Sequence, residues 1–213
     1  MAYEIPESFS QRGDGAQEAE NRRITAIADE LRRLCRVYET QSGTGKADVT
    51  THDAEQRAAE QWAKANRLWI PIMDIFQLGI PGPSGHENDT YVAENGIYKV
   101  NNLLNNNGSI VSLLQKIVLH NELFPDTAYS FFGFAGFDGR TVMPVLFQPR
   151  IANAKPASQI MIDTYMAALG FEKGSDVGRF KNEEYEAWDI LPRNVLVDAD
   201  GDIYVVDAEI KRL

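Results

Sequence analysis

At Ile70 the chain changes texture, and that change restricts its folds more than any other feature. Before it, apolar residues recur at helical spacing; after it come short apolar runs broken by Gly, Pro and Asn. In AQEAENRRITAIADELRRLCRVYE, Ile24, Ile27, Ala28, Leu31, Leu34, Cys35 and Tyr38 fall three and four residues apart, which predicts a long amphipathic helix. THDAEQRAAEQWAKANRLW predicts a second helix. Thr51 or Asp53 would cap it, acidic residues in its first turn suit the helix dipole, and Ala58, Ala59, Trp62 and Ala63 form a small-residue packing face. The two read as an N-terminal helical hairpin. The Gly/Ser/Thr-rich TQSGTGKADV between them reads as a linker or mobile loop. It is not a phosphate loop, which needs Gly, four residues, then Gly-Lys-Ser/Thr; Gly45-Lys46 has Thr40 upstream and Ala47 downstream.

Beyond Ile70 the signals are of strands and turns. Thr90 to Ala93 and Ile97 to Val100 are predicted strands joined at Glu94-Asn95-Gly96, because Asn-Gly between apolar-bearing runs is a strong hairpin signal. After the flexible NNLLNNNG, Ser109 caps a predicted helix, IVSLLQKIVLHNELF, and two strands, AYSFFGF and TVMPVLFQPRI, follow around Phe137-Asp138-Gly139. PASQIMIDTYMAALGF reads as a further helix, and NVLVD with DIYVVD closes the chain as a hairpin around Asp200-Gly201. The fold class is therefore α+β, with no internal repeat.

Composition excludes several functions. A formal charge of −10 and a pI near 4.8, with no segregated basic patch, oppose binding to a nucleic-acid backbone. Cys35 is the single cysteine, so no internal disulfide or Cys-based metal cluster forms; it reads as a small core residue in a cytoplasmic protein. MAYEIPESFSQRGDG lacks the basic and apolar blocks of a secretory signal, and there is no run of about 18 apolar residues that would span a membrane. His52, His86 and His120 are far apart and outside any metal-ligand spacing. There is also no Gly-x-Ser-x-Gly elbow and no dinucleotide fingerprint.

The acidic C-terminal stretch WDILPRNVLVDADGDIYVVDAE divides into two sets. Asp198, Asp200 and Asp202 alternate with Glu209 in the twelfth place, but a calcium loop needs Gly where Ile203 stands and a helix where a β-pattern follows. They read as a hairpin rim. The other set suits phosphoryl transfer, which needs a base for the hydroxyl proton, oxygen ligands for magnesium, and a cation on the phosphates. Asn194 follows Asp189 by five residues, the interval of the protein-kinase catalytic loop. Asp207 comes thirteen residues later, and Lys99 lies in the strand GIYKV.

With SGHENDTYV, IYKV, LFPDTAYSFFGF and VLFQPRI in order before that stretch, the region from about Ile75 to Glu209 resembles a protein-kinase-like domain. It is most similar to the compact kinase domains of bacterial and phage polyvalent proteins. The resemblance implies a small antiparallel sheet lobe and a minimal second lobe in residues 70–213, preceded by a helical region in 1–69. It implies that Lys99 contacts nucleotide phosphates, that Asp189 is the catalytic base, and that Asn194 and Asp207 hold Mg2+. Phe147, Gln148 and Pro149 would be the hinge against the adenine of ATP, and Ser84 to Asn88, with Gly85 and Glu87, the phosphate-covering loop. The implied activity is ATP- and Mg-dependent transfer to a hydroxyl of a protein Ser, Thr or Tyr; the alternative is a non-catalytic pseudokinase that binds nucleotide or a protein partner. Ala187-Trp188 replaces the usual His-Arg, Leu191 the basic residue two places after the Asp, and Asp207-Ala208-Glu209 the usual Asp-Phe-Gly. Gly82 and Gly85 alone represent the glycine-rich loop, and either Glu87 or Glu122 would be the acidic partner of Lys99.

Overall fold

The computed structural model describes residues 14–41, 51–137 and 141–213. The linker beyond Gln41 and the turn residues Asp138 and Gly139 lie outside them. The chain forms two compact units, residues 1–115 with 129–149, and residues 116–128 with 150–213.

In the first unit, helices α1 (Asp14–Gln41) and α2 (Thr51–Ala65) accompany a six-stranded sheet. The strands are β1 (Trp69–Pro71), β2 (Ile80–Pro81), β3 (Asn88–Val92), β4 (Gly96–Asn101), β5 (Ser130–Gly136) and β6 (Val142–Pro149). Helix α3 (Ile110–Leu123) follows β4, and the chain passes from the first unit to the second within it. The expected second helix stops at Ala65, and Trp69 at the end of its stretch begins β1 instead.

The sheet order is β1-β5-β6-β4-β3-β2. All neighbours run antiparallel except β1 and β5, so the expectation of a wholly antiparallel sheet is corrected at that edge. The apolar stripe of α1 is buried at Ile24, Ile27, Ala28, Leu31 and Cys35, and α2 buries Ala58, Ala59 and Ala63. Trp62 meets both Phe131 and Phe134 edge-on, with centroids 6.2 Å apart in each pair. Positions 131 and 134 have opposite parity on a regular strand. The register shift between Phe131 and Gly133 breaks the alternation and lets both rings reach one indole. A second cluster, including Ile70, Tyr91, Tyr98, Val145 and Phe147, completes this unit's core.

The second unit contains the end of α3, then β7 (Lys155–Pro156), α4 (Gln159–Ala168), β8 (Glu172–Lys173), β9 (Phe180–Lys181) and β10 (Tyr185–Trp188). The last strands are β11 (Val195–Val197), β12 (Ile203–Val205) and β13 (Glu209–Arg212). They form two small sheets, β13-β10-β9-β8 and β12-β11-β7. Ser158 caps α4 by accepting from the Met161 N–H. Phe124, Ile162, Met166, Phe180, Ile190 and Val195 are among the buried residues of its core. No helix among the described residues is long and apolar enough to cross a membrane.

Candidate active site

Lys99 lies in β4, opposite Thr90 on one side and Leu146 on the other. The residue is 8% exposed, and its ammonium donates to the Tyr129 hydroxyl at 2.8 Å and lies 4.8 Å from that ring's centroid. The Tyr129 contact has no counterpart among the expectations: LFPDTAYSFFGF enters the resemblance as a segment and supplies a strand, with no role for its Tyr. The hairpin that carries Lys99 is present as expected but with other limits, Asn88–Val92 against Thr90 to Ala93 and Gly96–Asn101 against Ile97 to Val100; Val92 stands opposite Ile97, and Ala93 N–H donates to Gly96 O at 2.9 Å. Neither Asn95 nor Gly96 has positive φ, so Asn-Gly does not make the two-residue mirror-image turn. Gly96 serves a different need: a Cβ there would lie 2.6 Å from Gln148 O and on the Phe147 ring. Its missing side chain lets β4 approach the segment Phe147-Gln148-Pro149. Gln148 is buried opposite Ile97, and the first unit ends at Pro149.

The segment around Gly85 is tied back on β3: Gly82 N–H donates to Thr90 O at 2.8 Å and Gly85 N–H to Asn88 O at 2.9 Å. Glu87 is buried. Its carboxylate accepts from the amides of Asn105 and Asn106, each at 3.0 Å, so NNLLNNNG is anchored through its asparagines. Glu122, the other acidic candidate, belongs to the second unit and accepts from Arg212 at 3.0 Å.

In the second unit two ladders gather the remaining residues. β10 and β13 pair antiparallel, with Trp188 opposite Glu209; Asp189 directly follows the first and Asp207 lies two residues before the second. β11 and β12 pair with Val195 opposite Val205, and Val206 N–H donates to Asn194 O at 2.9 Å. Asp189, Asn194 and Asp207 are thus brought to one end of both ladders. β12 stops at Val205, so Asp207 lies two residues past the strand it was expected to end.

The loop between the ladders is held tightly. The Asn194 amide donates to Asp189 Oδ2 at 2.7 Å and to Asp189 O at 2.8 Å, and Asn194 N–H donates to Leu191 O at 2.8 Å. Asp189 takes φ of 61°, a left-handed conformation uncommon outside Gly and found at constrained functional loops. Its Oδ1 accepts from Arg193, which is exposed. Arg193 was not singled out from the sequence, although a basic residue inside the Asp-to-Asn interval was a usable signal. The Asn194 amide nitrogen is spent on Asp189, which leaves its oxygen as a donor to a cation. The half-buried Asp207 carboxylate is in no hydrogen bond or ion pair among the described residues. One amide oxygen and one carboxylate are hard donors of the kind Mg2+ takes while keeping several waters. No cluster of three or more His, Cys, Asp or Glu side chains suited to a metal occurs among the described residues.

The rim acids behave differently. Asp198 Oδ1 accepts from the Asp200 and Asp202 N–H groups at 3.0 and 2.9 Å, and its Oδ2 from the Tyr204 hydroxyl at 3.0 Å. Burial alone would raise the Asp198 pKa, but bonds from Asp202, Tyr204 and Asp200 bring it below the usual carboxylate value. The same bond to Asp198, followed by burial, pushes the Tyr204 hydroxyl up to about 12. Asp198 is a turn former, with Gly201 at φ of 94° completing the turn.

An α+β chain with a buried strand lysine, an Asp-to-Asn loop and an Asp gathered beside that loop is kinase-like in class. A family model described as Serine/Threonine/Tyrosine Kinase found in polyvalent proteins (Kinase-PolyVal) matches residues 52–212, and the chain belongs to that family. Neither a curated protein nor a solved structure matches the chain. The match begins inside α2, so the family pattern takes in a helix that the resemblance read from about Ile75 onward left out.

Proposed function

We propose that this protein transfers the γ-phosphoryl group of ATP to a hydroxyl of a protein Ser, Thr or Tyr. The observation that carries the reading is the double ladder that gathers Asp189, Asn194 and Asp207 at one place. Asp189 receives the proton of the attacking hydroxyl, and the Asn194 amide fixes the orientation of its carboxylate. Lys99 contacts the nucleotide phosphates, and the Tyr129 hydroxyl sets where its ammonium points. Asn194 and Asp207 would hold Mg2+, which when bound neutralises charge on the phosphate oxygens. The strand at Gln148 faces adenine, and the segment from Ser84 to Asn88 with Gly85 and Glu87 covers the phosphates. In this reading residues 70–213 are the kinase-like domain, and the helical region 1–69 supports its sheet.

One observation favours a second reading, a non-catalytic nucleotide-binding pseudokinase: both Asp189 carboxylate oxygens already accept bonds, from Arg193 and from Asn194, and Leu191 offers no cation. Magnesium-ATP binding and turnover on the native chain, Asp207→Asn and Asp189→Ala separate the two. The enzyme reading expects binding to fall in Asp207→Asn and turnover alone to be lost in Asp189→Ala. Binding without turnover in the native chain establishes the pseudokinase. No binding at all removes both.

A further inference from the structure

We infer that Lys116 and Glu209 form a latch that positions the Asp207 segment for its metal, an inference that rests on reading Asp207 as a magnesium ligand. Lys116 is buried on a helix otherwise rich in Ile, Leu and Val, IVSLLQKIVLHNEL, where an ammonium must be paired. Its Nζ donates to Glu209 Oε1 at 2.9 Å, and the two side chains are only 9% and 18% exposed. Glu209 is two residues after Asp207 and is the first residue of β13, opposite Trp188, the neighbour of Asp189. Asp207 is therefore bracketed. Upstream, Val206 N–H is bonded to Asn194 O at 2.9 Å; downstream, the ion pair fastens Glu209 to α3, with Ala208 buried between them.

A second pair links the same helix and strand, Glu122 with Arg212 at 3.0 Å, but its side chains are 37% and 61% exposed. Solvent screens such a pair, so it does little to fix the strand. Burial makes the Lys116–Glu209 pair the stronger tie, so removing either partner disturbs the segment that follows Asp207 more than loss of the exposed pair would. Lys116 is thus a positioning residue acting through Glu209; nothing in the latch requires it to touch nucleotide or metal.

The test uses the full chain, a non-hydrolysable ATP analogue, and Mn2+ as the spectroscopic stand-in for Mg2+. Mn2+ affinity in the presence of the analogue is measured by electron paramagnetic resonance for the wild type, Lys116→Met, Glu209→Gln and the double variant. Analogue affinity without metal and thermal melting without ligand are recorded in parallel. The latch predicts a fall in Mn2+ affinity of roughly ten- to hundredfold in each single variant, the range for groups that orient metal ligands. Metal-free analogue affinity stays unchanged, and the double variant is no weaker than the worse single one. A merely structural pair would lower the melting temperature but leave Mn2+ affinity of the folded protein intact. Should Lys116→Met fail to fold, Glu209→Gln, which keeps size and an acceptor oxygen, decides the matter. Unchanged Mn2+ affinity in variants of a wild type that binds overturns the latch alone. No Mn2+ binding by the wild type overturns the magnesium reading of Asp207 and the latch with it.

Discussion

Glu55 gives a prediction whose size follows from its contacts. This α2 carboxylate is buried at the start of α3, where Ile110 N–H donates to Oε2 at 2.7 Å, Val111 N–H to the same oxygen at 3.4 Å, and Ser109 Oγ to Oε1 at 3.1 Å. Helix N-termini leave their first N–H groups without intrahelical partners, and the dipole there favours an anion. The short bond from Ile110 to a charged acceptor is worth about 1.5–3 kcal/mol. The carboxylate's interaction with a partly buried helix end contributes up to about 2 kcal/mol.

Because both effects share one charge they are not summed in full, and Glu55→Ala should cost about 3 kcal/mol. For a chain of this length that corresponds to about 6–12 °C in melting temperature, at about 2–4 °C per kcal/mol. Glu55→Gln keeps an acceptor but loses the charge and should cost about half as much. Urea denaturation followed by circular dichroism gives the energies. Amide hydrogen exchange should show Ile110 and Val111 losing protection ahead of the rest of α3. A loss below about 0.5 kcal/mol for Glu55→Ala, the size of an ordinary surface substitution, would refute the argument.

Two other outcomes follow. Gly96→Ala puts a Cβ 2.6 Å from Gln148 O, so it should destabilise by about 1–3 kcal/mol in the same urea assay and, on the proposed nucleotide site, weaken ATP binding as β4 and β6 separate. The terminal hairpin should respond to pH at both extremes. The lowered Asp198 pKa stabilises above its unfolded value of about 3.9 and is lost as pH falls through the folded one. The raised Tyr204 pKa stabilises below its unfolded value of about 10. That contribution disappears as pH rises through about 12. Spectrophotometric titration against Tyr204→Phe should show one fewer tyrosine ionising at the alkaline end.

What could be read in the sequence was what rests on local chemistry. The period of α1, the Ser109 cap of α3, the β3–β4 hairpin and the turn-forming role of Asp198 each need only neighbours within a few residues. The order of Lys99, Asp189, Asn194 and Asp207 was visible for the same reason, as spacing along a chain. What joins three of them was not. Tyr185–Trp188 and Glu209–Arg212 are four residues each, carry four charged side chains between them, and pair across twenty intervening positions, so neither carries the alternation that marks a strand. Glu55 and Gln56 look like exposed positions of a charged helix, yet both are buried because they bond to the backbone of α3 and β6. The bulge after Phe131 and the left-handed backbone of Asp189 likewise depend on tertiary contacts that residue types do not encode.

The occupied carboxylate of Asp189 weighs less against catalysis than it first suggests, because its two bonds differ in how easily they open. Arg193 is 65% exposed, and an ion pair in such solvent is worth about 0–1 kcal/mol, so an arriving hydroxyl can displace it from Oδ1 at small cost. The Asn194 bond to Oδ2 is doubled by a second bond from the same amide to Asp189 O, and it rests on the β11–β12 ladder through the Val206 bond. That bond therefore persists while the other opens. The result is a carboxylate with one fixed oxygen and one exchangeable oxygen, which is what a positioned base requires. On the proposed reading of Asp207 as a magnesium ligand, transfer also requires that residue to be held in place, by the Val206–Asn194 bond on one side and the Lys116–Glu209 pair on the other.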